Sequence, residues 1–148
     1  MMGRTLEGTI FEIVFVVMAL ALWGYIAWLI SQAPHYVPTH FDAVGKADGY
    51  GKPTLVIFPC LMMTVVGACM LLGAYFPGSV NLPVKVETPR QMSLVMRMMR
   101  ILSLVFLLLA LATAFSTLNI AQAWPVWPVV GILVAVVIVF TILIYRAR

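Results

Sequence analysis

The stretch Asn119-Ile120-Ala121-Gln122-Ala123-Trp124-Pro125-Val126-Trp127-Pro128 decides how the chain folds. It interrupts a run from Ile101 to Tyr145 that contains no charged residue. A bilayer core takes about 20 apolar residues per helix, so the run is too long for one crossing. Two amide side chains, followed by tryptophans beside prolines, suit a tight turn at a membrane–water interface. The run therefore reads as a helical hairpin, Ile101 to Asn119 and Val126 to Tyr145. Toward the N-terminus lie two more apolar stretches of this kind, from about Ile10 to Ser31 and from about Thr54 to Phe76. The expected fold is all-α: an integral membrane four-helix transmembrane bundle forming a single membrane domain over residues 1–148. An ordered extracytoplasmic loop, residues 32–53, joins helices 1 and 2, and a cytoplasmic loop spans residues 77–100.

Composition agrees. The 148 residues are 64% hydrophobic and 9% charged, with a mean hydropathy of +1.08. A soluble domain is about 45–50% apolar and about 25% charged. Nine Lys+Arg and five Asp+Glu cannot cover a soluble fold of this size. That excludes a soluble enzyme, a disordered tail and a disulfide scaffold. The net charge of +4 does not point to nucleic acid, because the basic residues flank the apolar segments. Arg4, Lys85, Arg90, Arg97, Arg100, Arg146 and Arg148 fall on one side of the bundle, and Lys46 and Lys52 on the other. The positive-inside rule then puts both termini and the middle loop in the cytoplasm, with the loop after helix 1 outside. The first helix reads as a retained signal-anchor, since Ile13 to Ile30 exceeds the roughly 7–15 residues of a secretory h-region. Cys60 and Cys69 are nine positions apart on one helix, about 13.5 Å along its axis. That is too far for a disulfide, and both read as packing residues.

The middle loop has a helix-start signal, Thr88-Pro89-Arg90-Gln91: Thr as N-cap, Pro in the first turn, Gln at the third position. The following segment, with Met92, Met96, Met98 and Met99, reads as an interface-level extension of the third helix. Its arginines reach toward headgroups. The methionines read as packing rather than a copper relay. Pro59 marks either a kink or the first turn of the second helix, and Thr64 a satisfied backbone gap. Ala110 and Ala114 read as a small-residue packing face.

The outer loop is the one dense polar segment. It holds His35, Val37-Pro38-Thr39-His40-Phe41-Asp42-Ala43-Val44-Gly45-Lys46-Ala47-Asp48-Gly49-Tyr50-Gly51-Lys52. Val37 to Phe41 favours extended backbone. Asp48-Gly49 is a turn signal, and Asp42 to Gly45 could form another. About 20 residues is long for a structureless connector, so a compact cap folded onto the bundle mouth is expected.

That segment resembles the signature of a bacterial membrane family of unknown function, whose pattern is Pro-x-His-Phe, a turn to Gly, then Asp-Gly-aromatic-Gly-Lys. The same module occupies the N-terminal part of SdpI-type immunity proteins, and Asn81-Leu82-Pro83-Val84-Lys85-Val86 is similar to a segment after the family's second helix. The resemblance implies immunity to a secreted antimicrobial peptide or capture of a regulator. It also implies placement in a bacterial inner membrane, and longer members carry further C-terminal helices beyond the four expected here.

Three readings of the loop stand side by side. His40, Phe41, Asp42, Gly45, Asp48, Gly49, Tyr50 and Lys52 order the loop's own backbone, or form a surface for a peptide or membrane-protein partner. Alternatively His35, His40, Asp42 and Asp48 are weak metal ligands, at a spacing that matches no established zinc pattern. Glu12 has two readings. Thr9-Ile10-Phe11-Glu12 fits a capping box, or Glu12 pairs with Arg97 or Arg100 in an intramembrane polar site. No nucleotide loop, metalloprotease helix, nucleophile elbow or CxxC pair occurs, and no cofactor is expected. The leading function is a non-enzymatic envelope sensing, immunity or partner-binding component. A small transporter or channel subunit is the alternative, and a metal-dependent membrane enzyme a further one. The lipid bilayer is a partner, and a homo-oligomer is open.

Overall fold

A computed structural model describes residues 3–148. The elements run α1 (Leu6–Gln32), β1 (Val37–Phe41), β2 (Ala47–Gly51), α2 (Ile57–Gly73), α3 (Pro89–Phe115) and α4 (Val126–Arg146). A 3-10 turn, Pro53–Val56, leads into α2, and a π-helical turn, Ser116–Ile120, continues α3. Four helices are long and apolar enough to cross a membrane. The small two-stranded sheet is the one departure from an all-helical chain among the described residues.

The helix ends follow local chemistry. α1 starts at Leu6, earlier than expected, because Thr5 is its N-cap and its hydroxyl accepts from the Gly8 amide at 3.0 Å. The capping box expected at Thr9 and Glu12 is not used. The Thr9 hydroxyl instead donates to the Thr5 carbonyl. α3 starts as its sequence signal predicts: Thr88 accepts from the Gln91 amide, and the Gln91 side chain accepts from the Thr88 amide. Its apolar extension is one continuous helix with the third span. Pro59 lies in the first turn of α2, where a missing N–H costs nothing. Ala121 closes the π turn in the left-handed region at φ 56°.

α3 is the axis. It packs against each of the other three helices, and 56% of its most apolar window is buried, against 6% for α4. Outward residues such as Ile132, Val134, Ile138 and Val139 are exposed. That is a costly surface in water and a fitting one in lipid tails. With no hydrophobic drive between helices inside a bilayer, close packing must hold them. A side chain at Gly67 of α2 would meet the Ser103 carbonyl of α3 at 2.9 Å. Ala110 and Ala114 are fully buried, and Cys60 Sγ donates to the Ala110 carbonyl at 3.4 Å. Thr64 donates to the Cys60 carbonyl and accepts from Trp23 Nε1, tying α2 to α1. Met98 and Met99 are core residues.

Successive helices run in opposite directions. One face carries the strands and the turn before α4. The other carries both chain termini and the segment between α2 and α3. These are called the hairpin face and the terminal face below.

Candidate functional site

On the hairpin face, β1 and β2 pair antiparallel with irregular register around His40. The connecting turn is built by Asp42. Its carboxylate accepts from the Val44 amide at 3.0 Å and the Lys46 amide at 2.9 Å. Gly45 sits at φ 85°, where a side chain would be strained. Asp48-Gly49, expected as a turn, instead lies inside β2. The reason is cross-strand. A Cβ on Gly49 would stand 3.2 Å from His40 Cβ, so glycine permits the approach. Asp48 faces His40, with Oδ1 and Nδ1 2.5 Å apart.

The hairpin folds onto the bundle. Val37 is 2% exposed and belongs to the core cluster with Ile26, Leu29 and Leu107. The Ala123 amide donates to the Gly45 carbonyl at 3.3 Å, linking the turn tip to the α3–α4 connection. Away from the bundle, Tyr36, Val44 and Tyr50 are exposed. Lys52 caps the 3-10 turn through its backbone, and Phe41 is half-buried.

The four residues weighed as metal ligands do not converge. His40 meets Asp48, Asp42 is occupied by its own turn, and His35 packs edge-on against Tyr36. Among the described residues no three His, Cys, Asp or Glu side chains are placed to hold a metal ion.

The terminal face has its own polar cluster. Glu12 pairs with Arg4 at 3.4 Å and accepts a hydrogen bond from the Tyr75 hydroxyl. It meets neither Arg97 nor Arg100, the partners weighed for it from sequence. Glu12 sits on a face of α1 turned toward α2, whereas the arginines approach α1 nearer its start. Arg97 is held by Glu7, with Nε–Oε1 at 3.0 Å and Nη2–Oε2 at 3.2 Å. The bond to Glu12 pushes the Tyr75 phenol above its usual range, with help from burial and the nearby negative charge, and Arg4 opposes it. Glu12, Arg4, Tyr75 and Phe76 border a groove of about 440 Å³.

Two residues of this face differ from what sequence spacing suggested. Gln91 is fully buried. Besides its capping role, its Nε2 donates to the Ile144 carbonyl at 2.9 Å, clamping the last turn of α4. Arg100 is 4% exposed and lies under the first turn of α1: a Cβ on Gly8 would stand 2.6 Å from its Nη2. Sequence reasoning missed Glu7, Gly8 and Tyr75. The periodicity of α1 carries no trace of partners 90 and 63 residues away.

A family model described as "Domain of unknown function (DUF1648)" matches residues 17–63. The match runs from mid-α1 through the hairpin into α2, about a third of the chain. Over that length the chain is similar to a membrane-protein family of unknown function. No curated protein and no solved structure matches it.

Proposed function

We propose that this chain is a non-enzymatic component of a bacterial cytoplasmic membrane that engages a secreted peptide or a protein partner through its hairpin, as an envelope sensing or immunity element. One observation carries the reading. The hairpin is braced from within by Asp42 and anchored by Val37, yet it turns Tyr36, Val44 and Tyr50 outward. β2 is paired on one edge only. An extended peptide can add to such an edge, with main-chain bonds for affinity and rigid aromatics for contact area. The resemblance of residues 37–52 to the SdpI-type module supports the immunity form, and the excess of basic residues on the terminal face supports cytoplasmic termini. The test is deletion in the host followed by challenge with secreted antimicrobial peptides. Wild-type protein restores resistance, while Tyr50→Ala and Val44→Asp, present at equal level, do not. Unchanged sensitivity on deletion, with an unchanged set of proteins cross-linked from position 44, sinks the reading.

A second reading has one observation behind it: Glu12 lines the groove at the terminal face. A small transporter or channel subunit would use that carboxylate. Ion flux into proteoliposomes that is lost in Glu12→Gln would favour it.

A further inference from the structure

Arg100 is a cation in the wrong place for a protein left to itself. It is buried, and among the described residues its guanidinium makes no hydrogen bond and no ion pair, unlike Arg97 one turn before it. Both acids of α1 are already committed, Glu7 to Arg97 and Glu12 to Arg4 and Tyr75. The remaining acids are Asp42 and Asp48 on the hairpin and the exposed Glu87. The guanidinium also lies against the N-terminal turn of α1, a 27-residue helix, beside Gly8, which has the Thr5 hydroxyl as its other near neighbour. A helix N-terminus carries about half a positive charge. Positive thus meets positive at a nearly enclosed position. Lysine or histidine could escape by losing a proton, an exit arginine lacks. A buried charge without a partner is costly, and both charges here are relieved by one anion.

The donors are open to such an anion. Ser116 Oγ is the sole sealed side-chain polar atom without a partner among the described residues. The guanidinium nitrogens therefore keep a trace of accessible surface, although the residue as a whole is buried. Glycine at position 8 lets the guanidinium lie directly against the helix, since a side chain there would displace it. A planar fork of N–H donors, a capping hydroxyl and a helix N-terminus match the tetrahedral oxygens of a phosphate.

We infer that Arg100, Thr5 and the first turn of α1 form a binding site for a phosphate oxyanion, carried either by a lipid headgroup or by a free phosphate. This inference stands apart from the hairpin and goes beyond the partner-binding role. Glu7 and Arg97 flank the site as a closed pair, which leaves its net charge positive.

The test measures thermal unfolding of the full chain in an uncharged maltoside detergent. Three probes are titrated separately: dihexanoyl phosphatidic acid, inorganic phosphate, and dihexanoylglycerol, which has the same chains and no phosphate. The expected result is a saturable rise in Tm with phosphatidic acid and none with dihexanoylglycerol. A matching rise with inorganic phosphate assigns the site to soluble phosphate, and no such rise assigns it to a lipid headgroup. Arg100→Gln weakens the response about tenfold or more, the size expected for a charge-assisted contact. Gly8→Ala, which keeps the charge and moves the guanidinium, weakens it too and serves if Arg100→Gln fails to fold. A flat wild-type titration with both phosphate probes overturns the inference. So does an equal rise with dihexanoylglycerol, or a response that Gly8→Ala and Arg100→Gln leave intact.

Discussion

The two faces of this bundle satisfy their polar groups by different routes. On the hairpin face the side-chain partners are close in sequence, Asp42 with amides two and four residues on and His40 with Asp48 eight residues on, and one backbone bond, from Ala123 to Gly45, reaches farther. On the terminal face Arg4 and Glu12 are also eight residues apart, but the pairs that join helices are distant: Gln91 with Ile144 across 53 residues, Tyr75 with Glu12 across 63, Arg97 with Glu7 across 90. Local bonds form whenever the local backbone does. Distant ones exist only once the helices have packed in one arrangement. The hairpin face is thus an element the chain writes into one short segment, and the terminal face is a consequence of the bundle.

This difference is sharpest at Gln91. Gln91→Met keeps the volume but leaves the Glu87 and Thr88 amides without their partner and the Ile144 carbonyl with only the 3.3 Å bond from the Ala147 amide. A loss of about 2–4 kcal/mol is expected, since buried unsatisfied groups are expensive. Denaturant unfolding in detergent measures it. A loss within error of zero would mean the terminal face does not depend on distant pairs.

Asp42→Ala should break the other face alone. It removes the side-chain acceptor of two backbone amides in the turn and costs about 1 kcal/mol locally. Hydrogen exchange checks this: the Val44 and Lys46 amides lose protection while those of α3 keep theirs. Exchange that rises throughout the bundle would make the hairpin a part of the global fold and erase the contrast.

A smaller effect of opposite sign is expected at Ala121, in the left-handed region at φ 56°. Ala121→Gly relieves that backbone strain and raises stability by about 0.5–1 kcal/mol. Thermal unfolding of the variant beside wild type reads it.

The smallest effect is the coupling between Glu7 and Arg97. The pair is long-range, but its side chains are 39% and 57% exposed. A double-mutant cycle through Glu7→Gln and Arg97→Gln should return no more than about 0.5 kcal/mol, and less at high salt. A coupling of several kcal/mol would mean that lipid shields the pair from water.

Much of this was legible residue by residue. Trp124-Pro125-Val126-Trp127-Pro128 marked the break before α4, and Thr88 with Gln91 marked the start of α3. Both are signals in which a side chain acts on its nearest backbone. The turn at Asp42 to Gly45 was legible for the same reason, but Asp48-Gly49 misled. Its glycine answers to His40 on the neighbouring strand rather than to a bend in its own. Thr5 is hard to read as a cap because it lies outside the first long apolar run, which by itself marks the start of α1 near Ile10. The ring of partners around Glu12 was not readable. Arg97 and Arg100 offered the right charge, yet Arg4 and Tyr75 have the right place.

The sequence by itself determined four apolar spans, the points where the chain turns between them, and the polar segment that closes one end. Composition, length and capping act over a few residues, so they survive without knowledge of the neighbours. Only the tertiary structure decided that α3 is the axis, that Gln91 clamps α4, and that Arg100 is buried beneath Gly8 with no acid beside it. The reason is that a span apolar on every side, as α1 is, carries no periodic stripe to say which face turns inward. Facing is then set by close contacts between helices, at Gly67, Ala110 and Gly8, where one missing or small side chain fixes which residues meet.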